Sequence, residues 1–208
     1  MNWDNDLQLE TMGMLGWTHD LPKNMNQKKI FESILDYILE KNKNKLIKIL
    51  EVGSFTGISL INIVKRIPNS IGLAIDAWNN YDEENNELFK NMSCVEKVFH
   101  ENVKKSQLPI TSMKGDSVEK LSELMKNGEK FDFIYIDGSH LLLDCYTDIV
   151  LSWQILNNGG IMAIDDYPYL KDVDVLKSPY EAVNHFLKKF GNQCKILSKT
   201  YRVFIEKN

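Results

Sequence analysis

A single-domain, doubly wound α/β fold with a mostly parallel sheet is the architecture this sequence predicts, on three observations. Short apolar runs rich in β-branched residues alternate with stretches whose apolar residues recur at helical spacing. One such run stops at a glycine turn that opens directly into a helical pattern. Several runs end on acids, Asp76, Asp137 and Asp165 among them, which gathers polar groups at the carboxyl ends of strands. The 208 residues and 43% hydrophobic content suffice for one buried core, and no repeat or Pro/Gly/Ser linker divides the chain.

Residues 1–24 carry Trp3, Gly13, Gly16, Trp17 and Pro22 without a period and are expected to form an irregular arm, which leaves residues 25–208 as the domain. Between positions 26 and 41, Ile30, Phe31, Ile34, Leu35, Ile38 and Leu39 fall on one helix face. Residues 45–52, with Ile47, Ile49 and Val52, suit a mostly buried strand, followed by a helix over 57–66 closed by Pro68. Strands follow at 71–76 and 110–114. Between them lies a polar segment, 79–105, with Tyr81, Phe89, Val95, Val98, Phe99 and Val103 marking a half-buried helix. A helix over 117–125 precedes a fourth strand, 131–137. The next helix, 140–156, is expected to carry Asp144 and Asp148 outward and Trp153 inward, and to be closed by Asn157-Asn-Gly-Gly. A fifth strand at 161–166, a helix at 180–189 and an antiparallel pair at 195–198 and 201–206 complete the chain.

Charge and composition exclude several classes. A net charge of -4 argues against the basic face that nucleic-acid binding needs. No apolar run approaches the ~20 residues of a membrane span, and the acidic start, Met1-Asn-Trp-Asp, is unlike a signal peptide. A cytoplasmic protein is therefore expected. Cys94, Cys145 and Cys194 are odd in number and widely spaced, which fits reduced thiols better than disulfides or a zinc site.

The chemistry concentrates at strand ends. In Ile-Leu-Glu-Val-Gly-Ser-Phe-Thr-Gly-Ile-Ser, residues 49–59, Gly53 lets the backbone turn tightly and a ligand approach without meeting a Cβ. Ser54, Thr56, Gly57 and Ser59 bring hydroxyls and N–H groups to the mouth of the helix. Phe55 and Ile58 stand where a dinucleotide fingerprint needs its second and third glycines, so NAD is disfavoured. Glu51-Val-Gly-Ser-Phe-Thr-Gly instead resembles the first motif of class I S-adenosylmethionine (SAM) methyltransferases. Asp76, at the end of the second strand, is placed to accept hydrogen bonds from both hydroxyls of a ribose. Trp78 could stack on a base or shield the pocket floor. Asp137, Asp165 and Asp166 end two strands expected to be neighbours. Adjacent like charges are costly without compensation, and hard carboxylate oxygens suit Mg2+. His140 follows Asp137 by three residues, and an imidazole titrates near ~6.5, as a general base at neutral pH requires.

Tyr135-Ile-Asp-Gly-Ser-His140, Asp148 and Trp153 downstream, and Gly159-Gly-Ile-Met-Ala-Ile-Asp-Asp-Tyr167 resemble the Mg-dependent small-molecule and sugar O-methyltransferase group of the class I, Rossmann-like SAM fold, which includes macrolide-sugar enzymes. The resemblance spans residues 46–190. It implies that Asp137, Asp165 and Asp166 bind Mg2+, that His140 is the base, and that Glu51, Gly53, Asp76 and Asp116 hold SAM. Asp116 and the neighbouring Ser117 would lie by the adenine, although Gly-Asp-Ser is also an ordinary turn and helix cap. Leu142 departs from a frequent aromatic, Asn157-Asn158 from the usual Lys-Pro, and Asp165 from a frequent Glu. The implied acceptor is a sugar or similar small molecule, with a catechol-type phenol or a non-catalytic SAM-binding subunit as alternatives. A homo-oligomer is left open.

Overall fold

Alternation of side chains along the strands sorts the molecule into two apolar cores, one on each face of a single sheet. The computed structural model describes residues 25–79, 92–168, 172 and 174–208. The expected N-terminal arm, and Tyr81 and Phe89 of the polar segment, lie outside these. The elements in order are α1 (Met25–Lys41), β1 (Ile47–Val52), α2 (Ile58–Arg66), β2 (Ser70–Asp76), α3 (Met92–Ser106), β3 (Ile110–Lys114), α4 (Ser117–Lys126), β4 (Phe131–Ile136), α5 (Leu142–Ile155), β5 (Leu156–Ile164), α6 (Pro179–Phe190), β6 (Cys194–Lys199) and β7 (Val203–Lys207). The seven strands lie in the order β3-β2-β1-β4-β5-β7-β6. β1 to β5 run parallel, while β7 runs antiparallel to both β5 and β6.

Ile49, Phe133, Tyr135, Ala163 and Phe204 face one way and meet α1, α2 and α3 through Leu35, Ile38, Leu60 and Phe99. Leu50, Ile134, Met162 and Ile205 face the other way and meet α4, α5 and α6 through Leu121, Ile149, Trp153 and Phe186. A one-residue slip in any strand would exchange these sets, so burial on both faces fixes the register. Because the five parallel strands are in register, their carboxyl ends reach one edge of the sheet together. Among the described residues no helix is long and apolar enough to cross a membrane.

Two local expectations are corrected. Asn157-Asn-Gly-Gly does not cap a helix: α5 ends at Ile155 and β5 starts at Leu156. Those residues form an irregularity in the β4–β5 pairing, which passes from Phe131↔Leu156 to Phe133↔Ile161. Gly159 takes a left-handed φ of 71° there, and its carbonyl accepts from Lys41 Nζ at 2.8 Å. Glycine serves the bulge rather than a helix end.

Asp148 is the second correction. Asp144 is exposed, but Asp148 is only 2% exposed and points inward. Ser117, at the start of α4, hydrogen-bonds its carboxyl, while its Oδ1 has no partner among the described residues. Helical periodicity placed this residue with the apolar set, and its acidity hid that.

Burial outweighs the Ser117 hydrogen bond and pushes the Asp148 carboxyl up to about 7. In an unfolded chain it would titrate near ~3.9. Between these values the unfolded chain has released a proton that the folded one keeps, so this residue lowers stability as pH rises from about 4 to about 7 and no further above that. Asp148→Asn should therefore be the more stable protein at pH 8, by on the order of 2–3 kcal/mol, and its advantage should shrink towards pH 4. Denaturant titrations at both pH values check this, and an advantage independent of pH would contradict it.

Candidate functional site

The turn after β1 is built by glycines that no other residue could replace. Gly53 has φ 85°, and a Cβ there would lie 2.2 Å from the Asp137 carbonyl oxygen. The first turn therefore packs directly on the loop after β4. Gly57, φ 78°, caps α2, and a Cβ on it would meet the Phe99 ring at 2.7 Å. Between them Phe55 adopts φ 48°, which costs a non-glycine residue free energy and is held by hydrogen bonds from both sides. Its N–H donates to Asp76 Oδ2 at 2.8 Å, and its carbonyl accepts from Trp78 Nε1 at 2.8 Å.

Asp76 thus has a structural task at the position expected to meet a ribose. Oδ1 accepts from Trp78 N at 2.8 Å. Burial raises its pKa, with the Trp78 and Phe55 amides opposing. Trp78 is buried, its ring 4.9 Å from that of Phe99, so the indole forms the wall behind the turn. Thr56 and Ser54 are buried, and the Thr56 carbonyl accepts from Asn102 Nδ2 at 2.9 Å. Glu51 is fully buried at the end of β1. Ser59 Oγ donates to its Oε1, and Oε2 makes no hydrogen bond among the described residues. Burial, against the pull of Ser59, pushes this carboxyl up to about 8. Asp116 caps α4, accepting from Val118 N at 2.9 Å and Glu119 N at 3.2 Å, with Ser117 turned to Asp148. All of these expected residues lie along one edge, at the carboxyl ends of β1, β2 and β3.

Next to them, at the ends of β4 and β5, acids converge. Asp137 follows Ile136, its N–H donating to Val52 O at 2.8 Å, and Asp165 N donates to Ile136 O at 2.9 Å. Asp166 adopts φ 50°, with its N–H donating to Asp165 Oδ1 at 2.8 Å. That left-handed step turns its carboxylate back towards the β4 loop, where Oδ2 lies 2.9 Å from His140 Nε2. One ligand atom each from Asp137, His140 and Asp166 falls within 4.8 Å of the others.

This grouping differs in one member from the expected set. Asp165, 6% exposed, faces Tyr135 and Arg202 instead: its Oδ2 accepts from the Tyr135 hydroxyl, from Arg202 Nε at 2.9 Å and from Arg202 Nη2 at 2.8 Å. The electrostatics follow the crowding. Burial, then the charges of Asp165 and Asp166, hold the Asp137 carboxyl well above the usual range. Burial also raises Asp165, against Arg202. Burial acts the same way on Asp166, but hydrogen bonds from His140 and Tyr201 outweigh it and the net direction is down. Two half-buried carboxylates, Asp137 and Asp166, beside an imidazole and next to the charge of Asp165 form a set of donors whose repulsion a cation would relieve, and the cluster fits a divalent ion on that ground.

Tyr201 and Arg202 contribute to the site without having been singled out in the sequence, and Tyr135, quoted there only as the start of a motif, contributes its hydroxyl. Tyr201 and Arg202 sit in the turn between β6 and β7, far along the chain from Asp137, and a turn before a strand carries no chemical signature. Tyr135 reads as one more apolar position of β4.

Comparison with known proteins follows from this geometry. Residues 50–167, more than half of the chain, match the model of the methyltransferase domain family. O-methyltransferase hkm8 of Aspergillus hancockii is 27% identical over 126 residues, which cover 60% of this chain and 44% of that enzyme, so the match spans less than half of the relative's length. The fold resembles TomG, an O-methyltransferase of Streptomyces achromogenes involved in tomaymycin synthesis and solved with SAM, at 14% identity and TM-score 0.67, over 99% of this chain and 90% of that one. MycE methyltransferase of the mycinamycin biosynthetic pathway, solved with Mg and S-adenosylhomocysteine, aligns at 17% identity and TM-score 0.59, over 85% of this chain and 49% of that one. At such identities the structural likeness speaks for the fold, while the match over residues 50–167 speaks for descent: the chain belongs to the methyltransferase domain family.

Proposed function

We propose that this protein is a SAM-dependent O-methyltransferase that methylates a hydroxyl of a saccharide or similar small acceptor, with a divalent cation, Mg2+ by the hardness of its donors, at the Asp137 and Asp166 carboxylates. One observation carries the reading. The glycine turn with its acids Glu51 and Asp76 lies directly against the Asp137–His140–Asp166 cluster, with no room for a Cβ between Gly53 and the Asp137 carbonyl. A cofactor seated on the first would meet an acceptor seated on the second. The O-methyltransferase relative, and structural neighbours solved with SAM or with Mg and S-adenosylhomocysteine, support it. Ser139, His140, Asp166 and Tyr201 give this edge a polar rim, which supports a saccharide over a phenol. Free thiols at Cys94, Cys145 and Cys194 support a reducing, cytoplasmic setting.

When bound, SAM supplies a methyl group on a cationic sulfur, and a divalent ion supplies a Lewis acid that lowers the pKa of a nearby hydroxyl. The protein's own part is reach and charge. Asp76 has lone pairs left for ribose hydroxyls beyond those taken by Phe55 N and Trp78 N. Glu51 Oε2 is a buried acceptor that an ammonium or hydroxyl donor would satisfy. Ser54, Thr56, Gly57 and Ser59 shape the turn, Trp78 backs it, and Asp116 and Ser117 border the far end of the cofactor site. His140 takes the acceptor's proton, and Asp166 at 2.9 Å stabilises the imidazolium that results. Holding acceptor oxygen, methyl carbon and sulfur in line supplies the remainder of the acceleration.

Three outcomes are expected. S-adenosylhomocysteine at about a hundred times its Kd should stabilise the protein by about 2.7 kcal/mol, visible as a rise in Tm, while NAD and NADP should leave Tm unchanged. A dinucleotide shift exceeding the S-adenosylhomocysteine shift would overturn the cofactor assignment. His140→Ala should keep that Tm shift but slow methyl transfer to a glycoside panel by roughly 10²–10⁴-fold, the usual contribution of a positioned base, with a residual rate that climbs as hydroxide concentration rises. Chelation should stop transfer without removing the Tm shift. Wild-type rates in both the variant and the chelator would leave His140 as a packing residue.

A further inference from the structure

Asp165 was expected to ligate a metal, and the structure gives its Oδ2 other partners for both lone pairs. An ionised carboxylate offers about four acceptor sites. At Oδ2 three donors converge: the Tyr135 hydroxyl, Arg202 Nε at 2.9 Å and Arg202 Nη2 at 2.8 Å. At Oδ1 the Asp166 N–H donates at 2.8 Å. Oδ2, with three donors on its two lone pairs, has nothing left for an ion unless Arg202 withdraws, and the one lone pair left on Oδ1 belongs to a carboxylate whose charge Arg202 already balances.

Arg202 is also firmly placed. Its guanidinium lies 5.5 Å from the centre of the Phe31 ring and 5.9 Å from that of Tyr201, and its Nε is 3.1 Å from the Tyr135 oxygen. The loop that carries the acids is pinned to the same turn, since Tyr167 N donates to Tyr201 O at 3.0 Å. A planar, permanently charged fork, half enclosed by aromatic rings, thus occupies the position a divalent ion would need if it were to reach Asp165 Oδ2.

We propose that Arg202 is a resident cation that competes with the divalent metal for Asp165, so that the metal has Asp137 and Asp166 as its carboxylate ligands while Arg202 is in place and gains Asp165 only when Arg202 withdraws. The inference rests on the metal reading given above. It makes Arg202 a residue that sets metal affinity low. An ion that sheds water reluctantly binds weakly to two carboxylates and more tightly to three.

Mn2+ serves as the probe, with free ion counted by electron paramagnetic resonance, in the absence of acceptor. Arg202→Gln should bind Mn2+ at least about tenfold more tightly than wild type, and Mn2+ should raise the Tm of the variant more than that of wild type. Adding Asp165→Asn to Arg202→Gln should abolish the gain, which a general loosening of the site would not do. Should Arg202→Gln fold only in the presence of Mn2+, the proposal is supported, since the ion then replaces the missing charge. Should it fold under no condition, Arg202→Lys decides: it keeps the positive charge but lacks the two-pronged fork, which frees a lone pair on Asp165 Oδ2, and should tighten Mn2+ binding by about threefold. Mn2+ binding by wild type that neither variant improves overturns the role of Arg202. S-adenosylhomocysteine binding, measured on the same samples, reports separately on the methyltransferase reading, which fails if wild type does not bind it.

Discussion

Four carboxylates, Glu51, Asp137, Asp165 and Asp166, are brought close together by strands that end side by side, and the cost of that crowding organises the rest of the site. Each is mostly hidden from water, and burial is the leading influence on every one of them. Left alone, such groups would take up protons or drive the loops apart. The structure answers each acid differently. Glu51 has the Ser59 hydroxyl, Asp165 has Arg202 and Tyr135, and Asp166 has His140 and Tyr201. Asp137 is the least compensated, and it stands at the junction of the two turns. On the reading proposed above, a cation would relieve this crowding most at Asp137.

The second organising feature is mechanical. Gly53 lies so close to the Asp137 carbonyl that the glycine turn and the acid loop form one wall. Asp76 then reaches across from β2 to hold Phe55 and Trp78, both of which have positive φ. A carboxylate that already organises two backbone amides presents its remaining lone pairs in a fixed direction, so a ligand does not have to order it. The conformational cost sits in folding rather than in binding.

The sequence disclosed the parts of this that depend on periodicity and on strand ends. The order of strands and helices, the antiparallel pair at the end, the glycine turn and the position of Asp76 follow from alternation and from where apolar runs stop. Asp148 was misjudged because its acidity outweighed its place among the apolar positions of α5, and tertiary packing decided otherwise. Asn157-Asn-Gly-Gly was misjudged because glycine marks a helix end and a bulge equally well. The partner of Asp165 was out of reach for a different reason. Arg202 lies 37 residues further on, and only the pairing of β7 with β5 brings the two together. Sequence spacing carries no trace of a contact that depends on which edge a returning strand takes.

That returning strand changes what the fold can do. In a purely parallel sheet, every group at this edge would come from a strand's carboxyl end or a helix's start, and the acids would have to be balanced from there. β7 runs the other way, with Ile164 paired to Val203, so its amino-terminal turn arrives at the same edge as the ends of β4 and β5. It delivers Tyr201 to Asp166 and Arg202 to Asp165. Antiparallel pairing is thus the route by which a permanently charged cation enters a site where the parallel strands end on acids. It also ties the hairpin's stability to the charge state of the cluster. If Asp165 no longer accepted from Arg202, the guanidinium, 19% exposed and flanked by two rings, would lose the charged acceptor of its Nε and Nη2 donors, and that cost would fall on the β6–β7 turn. The turn and the acids are therefore a single electrostatic unit, although one belongs to the edge of the sheet and the others to its middle.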